Sequence, residues 1–221
     1  MRISVVIAAY NAARTLGETL ASVHAQTRPP DEVVVVDDGS TDDTAAIAAA
    51  DPRVRLLSQA NGGCPQATNA GLRASTGDAF ALIDADDLWT PEKLELQERA
   101  LESEPGIDGV FGEVDEFLCP TLTEAERARF GVRERQPGWM GGAMLARRRL
   151  FETVGPFNES LRVGQFIDWI DRAQHAGARW QMRPELVLRR RLHPGSLTQR
   201  SAARDRDMIA MARLALQRRR T

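Results

Sequence analysis

The sequence predicts an α/β fold with an open, mostly parallel sheet and helices on both faces. Apolar β-branched runs of strand length alternate with helical segments across residues 2–105. Two of those runs stop at acidic clusters, at the strand ends where such sheets place their ligand loops. The length, 221 residues, suits one domain that buries its core without disulfides or a structural metal.

The elements follow in order. Residues 2–8 form a β-branched run, the mark of a strand buried on both faces. Residues 11–25 read as a helix with Leu16, Leu20 and Val23 on one face. Residues 32–36 give a second buried strand, which stops at Asp37-Asp38-Gly39-Ser40. Ser40, with Asp43 three residues on, has the pattern of a capping box for a helix over 42–50. Residues 54–57 make a third strand, 65–74 a helix and 80–83 a fourth strand, ending at Asp84-Ala85-Asp86-Asp87. Thr90-Pro91 reads as an N-cap with Pro at the first helical position, opening a helix that runs to Ser103. Beyond it, 109–117 is a strand, 118–137 a polar loop, 142–146 a short strand, 165–176 a helix and 186–192 a strand. A last helix, 205–219, carries a stripe of Met208, Met211, Ala212 and Ala215.

Composition narrows the class. With 43% apolar and 27% charged residues, the chain is neither disordered nor collagen-like. Lys plus Arg is 29 against 31 Asp plus Glu, so no overall positive field exists to hold nucleic acid. Basic charge is local, in Arg147–Arg149, Arg189–Arg191 and Arg218–Arg220. Cys64 and Cys119 lack metal-ligand spacing and fit a reducing, cytoplasmic compartment. The first residues begin like a signal segment but break at Tyr10-Asn11. No run approaches the ~18 apolar residues of a membrane span.

The acidic clusters carry the chemistry. Either one alone could be a turn and capping device; two on one sheet edge point to a ligand. Asp84-x-Asp86-Asp87 can share a hard cation, Mn²⁺ or Mg²⁺, which takes carboxylate and phosphate oxygens and neutralises a diphosphate leaving group. Asp38 can accept a base N–H, and Tyr10 can stack on the base.

These residues carry a resemblance. Ser4-Val5-Val6-Ile7-Ala8-Ala9-Tyr10-Asn11 and Val36-Asp37-Asp38-Gly39-Ser40-Thr41-Asp42 resemble glycosyltransferase family 2. So do Asn61-Gly62-Gly63 with Asn69-Ala70-Gly71, Gly77-Asp78 ahead of Leu82-Ile83-Asp84-Ala85-Asp86-Asp87, and Val154-Gly155-Pro156-Phe157-Asn158-Glu159. The match is continuous over 3–94 and patchy over 140–195. It implies a GT-A fold and an inverting transfer of one sugar from a nucleotide diphosphate sugar, most often a UDP-sugar. It implies base contacts from Ala8, Tyr10 and Asp38, a place near ribose and metal for Asp84, and the metal carboxylate at Asp86. Gly141-Gly142 resembles the segment whose backbone approaches sugar and acceptor, where a missing side chain permits close approach. His193 stands where some GT-A enzymes take a further metal ligand; otherwise it is a solvated loop histidine. The chain divides accordingly into a donor half, 1–105, an acceptor-side half, 106–200, and the amphipathic helix of 201–221.

Two departures stand out. Thr68 precedes Asn69 where many members carry Arg. Members also place Glu-Asp ahead of a helix with Arg six residues after that Asp, the expected general base. Counting back from Arg172, those positions hold Gln165 and Phe166. The nearest carboxylate is Asp168, which can be the base only where its segment is not yet helical; otherwise it caps the helix, and Asp171 pairs structurally. Arg189–Arg191 either sends a cation to the diphosphate or guards an edge strand. Trp139 either stacks on a sugar face or packs in the core. The last helix packs on the domain or on a second copy of the chain, or lies peripherally on the inner face of a membrane. The acceptor is a saccharide, lipid carrier, peptide or metabolite.

The rival reading is a nucleotide-sugar-binding homologue that has lost its base. A nucleotidyltransferase would need a Gly-rich basic loop where Ala8–Arg14 has no glycine, and a phosphorelay receiver would not need the Asp-x-Asp turn.

Overall fold

The computed structural model describes residues 1–161 and 163–195. The helix expected over 205–219, and with it its docking or membrane role, lies outside the described residues.

One nine-stranded sheet runs through the molecule, in the order β3-β2-β1-β4-β8-β6-β9-β5, with β7 added on β6. Its first four strands, β1 (Ile3–Ala9), β2 (Glu32–Asp37), β3 (Val54–Ser58) and β4 (Ala79–Leu82), are parallel, as expected. The other half is mixed. β8 (Met144–Arg147) pairs antiparallel with both β4 and β6 (Gly109–Leu118), and β9 (Trp180–Leu192) runs parallel to β6. Antiparallel β8 between β4 and β6 keeps β6 and β9 parallel to β4, so their carboxyl ends share its edge.

Helices α1 (Leu16–His24), α2 (Thr44–Ala50) and α4 (Lys93–Ser103) cover one face, packing on Ile3, Val5, Val33, Val35 and Val110. The other face carries α3 (Cys64–Ala74), α6 (Arg148–Val154) and α7 (Gln165–His175), against Val6, Phe80 and Phe111. Successive strand residues point to opposite faces, so the unbroken valine run of β2 feeds both cores.

Several boundaries differ from the sequence expectation, for local reasons. α1 starts at Leu16 because Asn11 takes a left-handed φ of 49° and Ala12 opens a turn. Ser40 does not cap α2: its hydroxyl accepts the Asn11 N–H at 2.9 Å, and α2 begins after Asp43. α4 starts at Lys93 rather than Pro91, because Thr90 is drawn to β9, its hydroxyl donating to the Leu186 carbonyl at 2.8 Å. Residues 118–137 include α5 (Glu124–Arg127), closed by a Thr123–Glu126 capping box, and β7 (Gln136–Pro137). β9 starts at Trp180, and its pairing with β6 shifts register across residues 183–185, which accommodates Pro184. The two-residue β5 (Leu88–Trp89), paired with β9, was not foreseen.

Candidate functional site

The acidic turn sits at the carboxyl end of β4. Carboxylate oxygens of Asp84, Asp86 and Asp87 lie within 4.8 Å of one another. Three elements hold the turn. From α1 and the turn before it, the Thr15 hydroxyl donates to the Ala85 carbonyl and the Thr19 hydroxyl to that of Asp87, both at 2.9 Å. From β9, Arg191 donates its main-chain N–H to Asp87 Oδ1 and its Nε to the Asp86 carbonyl, both at 2.8 Å. The Arg191 guanidinium is then anchored on Glu18 at 2.6 Å. His193, just past β9, brings Nε2 to 2.8 Å from Asp86 Oδ2.

Three carboxylates so close repel one another. Crowding by protein atoms and the Asp86 charge push the Asp84 carboxyl up to about 6, although its side chain still reaches solvent, and Arg190 only partly offsets this. Asp87, which is buried, is raised by desolvation first and then by Asp84 and Asp86. The turn is short of positive charge and offers hard oxygen atoms with one imidazole beside them. That donor set fits Mn²⁺ or Mg²⁺.

The second acidic cluster lies two strands away. Tyr10 is 51% exposed at the end of β1, and Ala8 is half-buried beside it in the ladder with Val36. Asn11 links this end to the loop after β2, accepting the Thr41 N–H at 2.8 Å. Asp38 is buried. Oδ1 accepts from Gln59 Nε2 (2.7 Å) and Gly62 N–H (2.9 Å), and Oδ2 accepts from Gly63 N–H (2.8 Å). A carboxylate has about four acceptor positions, so one is left for a ligand N–H. Gly39 is required here: its φ is +73°, and a Cβ would come within 2.8 Å of the Asn61 nitrogen.

The mixed half holds Gly141, Gly142 and Asp168 in packed surroundings. A Cβ on Gly142 would meet Leu188 at 3.0 Å, so close packing leaves little room for a side chain there. Gly141 likewise faces Phe166 and Leu82, at 3.3 and 3.5 Å. Asp168 is not among the carboxylates gathered at the acidic turn. It lies in the first turn of α7, already helical, with its side chain 1% exposed and Oδ2 accepting from Arg172 Nε at 3.0 Å. Arg172 also donates to the carbonyls of Val154 and Pro156, so the pair ties α7 to the end of α6. Phe166 packs among Phe111, Phe157 and Trp169, and Gln165 donates to Cys64 Sγ at 3.5 Å. Burial, aided by the Asp84 and Asp38 charges, pushes the Cys64 thiol up to about 12. Trp139 is 50% exposed and backed by Phe111 at 4.8 Å.

Sequence reasoning missed Arg191 as the brace of the turn, because charge alternation along β9 does not say which arginine turns inward. It also missed Asn69, which donates to the Phe157 carbonyl and to Glu159 and accepts the Phe157 N–H, all at 2.9 Å. The two motifs containing those residues are halves of one clamp.

Comparison with known proteins agrees with this geometry. The family model for glycosyl transferase family 2 matches residues 4–158. The succinoglycan biosynthesis proteins ExoO and ExoU of Rhizobium meliloti (strain 1021) are 33% and 32% identical, over 89% and 81% of this chain. The chain spans 62% and 59% of their lengths. Two solved structures share the fold. S. aureus TarS 1-349 in complex with UDP-GlcNAc has a TM-score of 0.78 at 20% identity, over 99% of this chain and 66% of that one. The mannosyltransferase PcManGT from Pyrobaculum calidifontis, in complex with GDP-Man and Mn²⁺, has a TM-score of 0.74 at 21% identity, over 98% and 64%.

Proposed function

Because the chain belongs to glycosyltransferase family 2, we propose that it moves one sugar from a nucleotide diphosphate sugar to an acceptor hydroxyl, with inversion. A UDP-sugar is the favoured donor, making the protein a hexosyltransferase or N-acetylhexosaminyltransferase. The observation that carries this reading is the Asp84–Asp86–Asp87 turn with His193 against Asp86, at the same sheet edge as Asp38 and Tyr10. The sugar-nucleotide complexes of TarS and PcManGT, on the same fold, support it.

Asp38 accepts from the base and Tyr10 stacks on it, beside Ala8. Asp84 faces the ribose, and Asp86 with His193 holds the cation, Mn²⁺ or Mg²⁺. When bound, that cation supplies Lewis-acid stabilisation to the leaving diphosphate. The backbone at Gly142 and the face of Trp139 shape the place of the transferred sugar. Arg191 keeps Asp86 and Asp87 in position. Asp168, sealed on Arg172, is assigned to holding α7 rather than to taking the acceptor proton. We place the protein in the cytoplasm, which its two free cysteines support.

Phe166 at the expected base position favours one second reading, a homologue that binds donor without transferring it. Thermal unfolding with a nucleotide panel, with and without Mn²⁺, tests the donor site. A bound ligand at a hundredfold excess over Kd adds about 2.7 kcal/mol. A Mn²⁺-dependent rise with UDP that disappears in Asp86→Ala supports the site; no rise with any nucleotide refutes it. Release of UDP from a UDP-sugar then separates the transferase from the binding homologue, which releases none.

A further inference from the structure

Lys93 is fully buried, yet among the described residues no carboxylate partners it. Its Nζ donates to Gln97 Oε1 at 2.6 Å and to the Met144 carbonyl at 3.1 Å, and lies 4.3 Å above the Trp89 ring. Burial alone drives its pKa down. An unpaired buried amine is costly, and an apolar side chain of similar volume fills such a space at less cost.

The neighbours give the amine a purpose. Trp89 Nε1 donates to the Gly142 carbonyl at 2.8 Å, and Gln97 Nε2 to the Ala143 carbonyl at 2.8 Å. With Lys93 on Met144, three side chains from 89–97 hold three consecutive carbonyls. The held segment begins in a single 3-10 turn, Gly141–Ala143, whose two glycines give it little stiffness of its own. Its carbonyls accept from these buried donors, which pair main-chain groups away from water. The donors lie just downstream of the acidic turn, with Trp89 two residues after Asp87. Gly141 abuts Leu82, two residues before Asp84. A single stretch, 84–97, thus carries the cation-binding carboxylates and the grip on the opposite wall.

We propose that Lys93, with Trp89 and Gln97, is a positioning residue that sets the Gly141–Met144 wall at a fixed place relative to the Asp84–Asp87 turn. The role rests on the transferase reading. It concerns the geometry of transfer and not donor affinity, since none of the three side chains is in the base-binding loops or the acidic turn.

The test compares wild type with Lys93→Met in the full chain. UDP binding with Mn²⁺ by calorimetry is expected within about twofold of wild type, and the melting temperature within about 4 °C. Release of UDP from a UDP-sugar is expected to fall about tenfold in kcat with donor KM unchanged. Amide exchange over 141–144 is expected to rise about tenfold. Unchanged exchange and unchanged kcat would overturn the proposal. So would a parallel loss of UDP binding, kcat and melting temperature, which is what mere structural damage gives. If Lys93→Met fails to fold, Trp89→Phe carries the same test: it keeps an aromatic ring beside the amine and loses the indole N–H together with the second ring. A wild type that neither binds UDP nor releases it would sink the transferase reading and this role together. A normal wild-type response with no change in the variants sinks this role alone.

Discussion

The two halves of the sheet are held together by different means. In the parallel half, β1 to β4, buried valines and isoleucines pack on both faces, and neighbouring loops tie to one another, as Asn11 does to Ser40 and Thr41. In the mixed half, polar side chains reach across the chain to main-chain carbonyls. Arg147 donates to Leu101 and Ile107, Arg148 to Gly77 and Leu72, Trp169 to Gly155, and the Lys93 group to residues 142–144. Apolar ladders dominate the parallel half through local pattern, whereas long-range side-chain tethers to main-chain carbonyls recur through the mixed half. The contrast implies that the mixed half can be altered one tether at a time while the parallel half stays intact.

The largest test of that contrast is Asp86→Ala. Metal-dependent turnover should fall about a hundredfold or more, because the lost carboxylate serves the leaving group directly. Substantial UDP binding surviving in this variant would move the donor site off the parallel half. Next is Asn69→Ala, which strips the Phe157 N–H and carbonyl of their partner. Two buried groups left unsatisfied cost about 3 kcal/mol in all, a fall of about 8 °C in melting temperature. UDP binding should stay within about threefold, since the partners of Asn69, Phe157 and Glu159, lie outside both the acidic turn and the Asp38 loop. Third, Asp168→Asn should lower the melting temperature by several degrees through the weakened Arg172 pair, with kcat within about threefold; a general base would instead cost about a hundredfold or more.

The smallest effect is one of pH. Asp84 and Asp87 have native pKa values raised above their unfolded ones, so the folded protein binds these protons more tightly. Without a divalent cation, the melting temperature should therefore rise as pH falls from 7 through about 6, where Asp84 takes up its proton. Saturating Mn²⁺ should reverse the slope, because the cation competes with those protons. The same slope in Asp84→Asn would place its origin elsewhere.

The contrast also explains what was legible in the sequence. Strands β1 to β4 announce themselves, because short apolar runs alternate with helical segments, and two of those runs, β2 and β4, stop at acidic clusters. The acidic edge was legible for the same reason. Not legible were β5, two residues long and defined only by its pairing with β9, and the inward turn of Arg191. The sequence does not single out Lys93; only the packed structure shows that α4 turns it inward. The packing of Leu188 against Gly142 was not legible either, because it joins two segments far apart in the chain.

The short pairing of β5 with β9 also sets an order of assembly. The acidic turn follows residue 83, but its braces, Arg191 and His193, emerge from the ribosome over a hundred residues later. A nascent chain can form the parallel half early, since those contacts are comparatively local, and must wait for β9 before the turn is closed. Until then the turn lacks the main-chain and side-chain bonds of Arg191 and the His193 contact, so its final geometry is a late mark of completed folding.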